Sequence, residues 1–327
     1  MIPHLGEKVL YLSRADVAAA GPTMHEIISA LEGMFREKGE GRTEMPPKIG
    51  IHTMPDAFIH AMPAAIPRQS AAGMKWVGGF PDNSKRSLPY ITGLLILNDP
   101  ETGLPIALMD CTWITAQRTG AATAVSAKYL ARADSTTVGI LGCGVQGRSN
   151  LEALVTIFPL KKVCAYDTHL DRAERYAQEA HAGYGVEAVA VKDPKLAVVE
   201  SDIVVTAGPI LRKPHATIQP GWFAKGAFAS LVDFDSYWHA EALREVDKFT
   251  TDDVPQLHHY RDVGYFQNIP PIHADLGELV TKRKAGRESP EERTIACNLG
   301  LALDDMAVAP LIYGQAKEKG IGNWLTL

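Results

Sequence analysis

The chain has 327 residues, of which 46% are hydrophobic and 22% charged, with a net charge of −5. That length predicts two globular domains, each large enough to bury a core. The mildly acidic balance excludes a surface built to displace counterions from nucleic acid. Cys111, Cys143, Cys164 and Cys297 form no CxxC pair, and no histidine cluster stands beside them at zinc spacing. We therefore expect buried thiols in a reducing compartment, no metal site and a cytoplasmic protein. The opening MIPHLGEKVLYLS lacks a basic segment followed by an apolar one, so no signal peptide is expected. The longest apolar stretch, 90–109, is broken by Asn98, Asp99, Pro100, Glu101 and Gly103, which argues against a membrane span.

In chain order, residues 17–38 carry Ile27, Ile28, Leu31 and Phe35 at helical spacing. A region rich in proline and glycine follows, with short strands expected at 49–52, 57–61 and 73–77. Residues 91–98 and 106–110 read as a hairpin, with Asp99, Pro100 and Gly103 supplying the turn. An alanine-rich helix is expected over 112–130. Strands and helices then alternate. Strands are expected at 136–141, 162–166, 186–191, 202–207 and 227–232, and helices at 146–158, 171–182 and 194–200. Strands joined by single helices pair in parallel and wind a doubly covered sheet. The last helical pattern, 298–317, is expected to pack back on the first domain. The predicted architecture is α/β: a Rossmann unit over 131–297, inserted into an α+β domain made of 1–130 and 298–327.

The strand TTVGIL runs directly into Gly142, Cys143, Gly144, Val145, Gln146 and Gly147, and a helix with an apolar stripe at Leu151, Leu154 and Val155 follows. Gly142 allows a tight turn, Gly144 lets backbone approach a pyrophosphate, and Gly147 lets the helix pack on the strand. The helix N-terminus offers unpaired N–H groups to phosphate. Asp167 ends the next strand, twenty-five residues after Gly142. A carboxylate there accepts from ribose hydroxyls and repels the extra phosphate of NADP, so NAD is the expected cofactor. Arg172 leaves NADP open, and FAD is the rival dinucleotide. Thr206 and Ala207, at the end of a later strand, are expected to border the cofactor crevice.

Several runs together resemble the ornithine cyclodeaminase/mu-crystallin family. They are Leu97 to Ala124 (LNDPETGLPIALMDCTWITAQRTGAATA), Met74 to Pro81 (MKWVGGFP), the GCGVQG loop and Gly300 to Asp305 (GLALDD). The resemblance spans nearly the whole chain. It implies a Rossmann domain between the two parts of a substrate and dimerisation domain, a homodimer, and chemistry at the α-carbon of an amino acid or its imine. It assigns Lys75 and Arg118 to the substrate carboxylate, with Lys48, one residue out of register, near a third cationic contact. Asp235 matches the acid proposed to move the proton in cyclodeaminases, Asp233 competes with it, and in an imine reductase Lys75 is the alternative to Asp235 for managing the proton. On a strand the two aspartates would share a face. His60 stands where ornithine cyclodeaminase has a glutamate for the ornithine side chain, and a histidine cannot serve a cationic amine in that way unless neutral. Leu299 matches an apolar pocket position. Three readings stay open: an NAD(H)-dependent oxidoreductase of α-amino and α-imino acids, a cyclodeaminase that closes a diamino acid and expels ammonia, and a cofactor-binding protein without turnover.

Overall fold

The computed structural model describes residues 4–54 and 56–327. The chain divides into two units, Met1–Arg118 with Leu301–Leu327, and Thr119–Gly300.

The first segment begins with β1 (Lys8–Leu12), α1 (Arg14–Ala19) and α2 (Met24–Gly39). One helix was expected over 17–38, and two are present. Gly21 and Pro22 stop the first, since proline brings no N–H to the ladder. Thr23 and Glu26 restart the second through a capping box, with the Thr23 N–H donating to Glu26 Oε2 at 2.7 Å. Then come β2 (Ile49–Ile51), β3 (Phe58–Ile66), β4 (Ala71–Gly79), β5 (Ile91–Asn98) and β6 (Pro105–Asp110). The expected β5–β6 hairpin is present. Its turn closes through Gly103 N–H to Asp99 O at 2.8 Å, with Gly103 at a φ of +75°. The helix α3 (Thr112–Leu130) follows, and the division between units falls within it.

The alternating part holds β7 (Thr137–Leu141), α4 (Val145–Ile157), β8 (Lys162–Tyr166), α5 (Leu170–Tyr184), β9 (Glu187–Val191), β10 (Ile203–Thr206) and β11 (Phe228–Leu231). The helix expected over 194–200 is only a 3₁₀ turn, Pro194–Ala197, capped by Asp193. Then follow α6 (Ala240–Leu243), β12 (Lys248–Thr251), α7 (Val254–Asp262), β13 (Ile272–Asp275), α8 (Leu276–Val280) and β14 (Thr294–Cys297). The chain ends with α9 (Ala302–Lys319) and β15 (Asn323–Thr326).

In the first unit the sheet order is β15-β1-β6-β5-β4-β3-β2, antiparallel except for β1 beside β6. Here α9 packs on β3 and β4 and also touches α2. Met62, Lys75, Leu95 and Met109 stand in one cross-strand row, all buried. The opposite face carries the row Ile49, Ala61, Trp76 and Leu94, with Ile49 65% and Trp76 45% exposed. In the second unit eight strands run parallel in the order β13-β12-β14-β11-β10-β7-β8-β9. The order reverses between β7 and β10, the switch point at which open α/β sheets bind ligands. Phe223, Trp238, Phe249 and Phe266 fill the core beside β10 and β11.

Candidate active site

Every second residue of β4 points inward, and Lys75 occupies an inward position that is only 1% exposed. A lone buried ammonium would cost several kcal/mol. Here its Nζ lies 2.6 Å from Asp305 Oδ2, on a carboxylate that is fully buried, and 3.5 Å from Thr115 Oγ1. Thr115 and Arg118 are three apart on α3 and so share a face. Arg118 is also buried, with Nη1 3.4 Å from Asp304 Oδ2 and Nε 3.5 Å from Asp305 Oδ1. Both aspartates sit in the first turn of α9, where the helix dipole favours negative charge. Asp304 Oδ2 also accepts the Leu301 N–H at 2.8 Å. Burial pushes the Lys75 ammonium below the usual lysine range, while Asp305 opposes that shift. This cluster thus buries two cations against two anions, with no net charge.

The structure brings Lys75, Arg118, Asp304 and Asp305 together. The two aspartates were not singled out as site residues. Their signal was two adjacent acids inside the otherwise apolar run LGLALDDMAVAP, where most neighbours face a core. His60 lies on β3 opposite Val77, so it shares the sheet face of Lys75. Its ring stacks on Phe58 at 4.2 Å and lies where a Cβ at Gly50 would stand. Lys48 is half-buried and precedes β2. Extending the β2–β3 register by one residue sets it opposite Met62, which is itself opposite Lys75.

In the second unit the glycine loop joins β7 to α4. Gly142 has a φ of +106°, and a Cβ there would meet Ala207 O at 2.6 Å. At Gly147 a Cβ would meet Gly142 O at 2.3 Å. Gly144 differs, because a Cβ there would meet no atom of the chain within 4 Å. It is exposed, as is Val145 at the start of α4 beside the half-buried Gln146. The loop therefore leaves room for a pyrophosphate where backbone N–H groups of α4 lack partners. Asp167 follows β8, and its oxygens accept the Cys143 and His169 N–H groups, each at 3.0 Å. This carboxylate braces the loop and keeps further lone pairs for a ribose. Arg172 is exposed in the first turn of α5.

Asp233 and Asp235 lie beyond β11, which ends at Leu231, and Phe234 between them has a left-handed φ of +62°. The strand geometry that would have put both acids on one face is therefore absent. Asp233 is buried and committed, since Thr206 Oγ1 donates to it at 2.6 Å and the Gly208 N–H at 2.8 Å. Burial outweighs those bonds and pushes its carboxyl up to about 7. Asp235 is raised by burial against bonds from its own N–H and that of Phe266. Thr206 is fully buried, and the Ala207 N–H donates to Leu141 O at 2.8 Å. Leu299 is buried just after β14, beside Gly300, whose N–H donates to Asp252 at 2.7 Å.

A model of the ornithine cyclodeaminase/mu-crystallin family matches residues 8–320. This chain belongs to that family. Its similarity to an alanine dehydrogenase from Archaeoglobus fulgidus is 35% identity over 309 residues, 92% of this chain and 93% of the relative. The Δ1-pyrroline-2-carboxylate reductase of Thermococcus litoralis, solved with NADH and L-proline, superposes with a TM-score of 0.88 at 34% identity, covering 96% of this chain and 99% of that one. An archaeal alanine dehydrogenase dimer with bound NAD gives 0.87 at 33%, covering 97% and 99%. In this member of the family no described helix is long and apolar enough to cross a membrane, and no described His, Cys, Asp or Glu cluster could hold a metal.

Proposed function

We propose that this protein is an NAD(H)-dependent oxidoreductase that interconverts an α-imino acid and its α-amino acid, working as an imino acid reductase. The buried Lys75–Arg118 pair carries the reading, because an ammonium and a guanidinium together hold more N–H donors than Asp304, Asp305 and Thr115 take up, and the remainder suit a small carboxylate. The named activities of the Thermococcus reductase and the Archaeoglobus dehydrogenase support it. Arg118 offers a planar fork to the carboxylate and Lys75 a point charge. The nicotinamide, when bound, exchanges hydride with the α-carbon. Asp235, with its carboxyl raised by burial, holds a proton to higher pH than an exposed aspartate and passes it to the substrate nitrogen. Asp233 holds Thr206 and Gly208 in place rather than reacting. Gly142, Gly144, Val145, Gln146 and Gly147 receive the pyrophosphate, Asp167 the ribose, and Thr206 and Ala207 border the nicotinamide. Asp167 favours NAD over NADP, with Arg172 too exposed to fix a phosphate alone. Lys48, His60 and Leu299 line the substrate side chain, and His60 disfavours ornithine.

The exposed apolar row on the first sheet and the dimer of the related alanine dehydrogenase support a homodimer. Four free, buried cysteines support a reducing, cytoplasmic setting. The test is the purified protein with NADH or NADPH against Δ1-pyrroline-2-carboxylate, 2-oxo acids with ammonia, and ornithine and other diamino acids. Net NADH oxidation with an imino acid is expected. Ammonia release from a diamino acid at constant NADH would replace the reading with a cyclodeaminase. Tight NADH binding without turnover of any of them would leave a binding protein.

A further inference from the structure

Asp305 has no part in the family resemblance beyond its place in a sequence run, yet it is the carboxylate that faces both candidate substrate cations. Oδ2 stands 2.6 Å from Lys75 Nζ and Oδ1 stands 3.5 Å from Arg118 Nε. All three side chains are buried: Asp305 fully, Lys75 at 1% and Arg118 at 9% exposed. Asp304, its neighbour, faces Arg118 but not Lys75: its Oδ2 stands 3.4 Å from Arg118 Nη1 and also accepts the Leu301 N–H that opens α9. Two like charges packed together repel, and Arg118 itself disfavours the Lys75 ammonium. Of the two aspartates, Asp305 is the one placed against both cations.

We propose that Asp305 is a positioning residue for substrate recognition: it bridges Lys75 and Arg118 and sets the spacing at which the pair grips a carboxylate. The inference rests on reading that pair as the carboxylate site. Asp305 touches neither substrate nor cofactor and acts through the two cations. It has a second consequence. A buried lysine loses its proton easily unless an anion is close, so Asp305 keeps Lys75 charged while the site is empty. An Asn at 305 keeps the shape and removes the charge.

The test compares wild type, Asp305→Asn and Asp305→Glu in the full chain with NADH and the best substrate of the panel. NADH affinity should stay unchanged in both variants. In Asp305→Asn, KM for the imino acid should rise roughly tenfold or more, with a smaller change in kcat. The alkaline limb of kcat/KM should move to lower pH, as Lys75 deprotonates earlier. Asp305→Glu should recover part of both effects, which lost packing alone would not do. An Asp305→Asn enzyme with wild-type KM and an unmoved pH profile would overturn the proposal and leave the reductase reading standing.

A measurement on the wild type covers the case in which Asp305→Asn does not fold. In protein labelled with 15N-lysine, the Lys75 ammonium signal is assigned by its loss in Lys75→Met. Persistence of the signal through neutral pH is expected, and its disappearance below pH 7 would overturn the bridge. A wild type that reduces no imino acid sinks the functional reading instead, and the same titration in Asp305→Glu, where a shifted Lys75 signal is expected and an unmoved one would overturn the bridge, still decides whether the acid at 305 holds the charge.

Discussion

Asp233 loses its water on folding and keeps donors from Thr206, Gly208 and its own N–H, which burial outweighs. Its carboxyl is held at about 7, against 3.8 when solvated. The folded chain therefore binds this proton more tightly than the unfolded chain. The stability it contributes is fully present below pH 3.8 and is lost as the pH rises through 7, at up to about 1.4 kcal/mol per pH unit. Asp233→Asn removes that dependence, so thermal unfolding at pH 5, 6, 7 and 8 should show a flatter midpoint curve than wild type. Arg118→Lys tests the fork instead of the charge. It keeps Asp304 and Asp305 compensated but loses bidentate geometry. We expect KM for the imino acid to rise about tenfold or more while NADH affinity holds, measured by steady-state kinetics and fluorescence titration. Arg118→Ala goes further, leaving two buried carboxylates facing Lys75 alone, at a cost of about 3–5 kcal/mol in stability.

At the scale of elements, the β7–loop–α4 turn separates two kinds of glycine. Gly142→Ala strains a φ of +106° and drives a methyl group against Ala207 O, so both folding and NADH binding should suffer. Gly144→Ala meets no atom of the chain, so its melting temperature should match wild type while NADH affinity falls about tenfold or more. Equal affinity in the two proteins would remove Gly144 from the pyrophosphate site. This element was legible because glycines, flanking strand, helix and acid lie next to one another in sequence. The β5–β6 hairpin was legible for the same reason, through Asp99 and Gly103. The elements missed are short or depend on distant partners. β12 (KFTT) and β14 (TIAC) have four residues each, and only their parallel neighbours in the sheet make them strands. β1 and β15 pair with each other from opposite ends of the chain. The left-handed turn at Phe234 follows no local rule, since a phenylalanine there is held by Tyr260, Tyr265 and Phe266 around its ring. Lys75 and Arg118 could be named from their runs, but their counterions lay at the far end of the sequence, and alternation alone does not say which acid a buried lysine meets.

For the whole molecule, the exposed row of Ile49, Trp76 and Leu94 leads to an oligomer prediction. Wild type should sediment as a dimer. Trp76→Glu combined with Leu94→Glu should shift it to monomer while leaving NADH binding in place. A monomeric wild type would reject the dimer.

The ion cluster of the first unit also fixes a timetable. Arg118 and Asp304 are 186 residues apart. At about 5–20 residues per second, the ribosome delivers the aspartates on the order of 10–40 s after the arginine. As that interval ends, the second unit, contiguous over Thr119–Gly300, already has all the chain it needs. The first has Lys75 and Arg118 but no anion to bury with them, and lacks the α9 surface that covers β3 and β4. The segment synthesised first is therefore the one that finishes folding last. A nascent chain stalled before Leu301 presents an open sheet face and two unmatched cations to the chaperones that meet it.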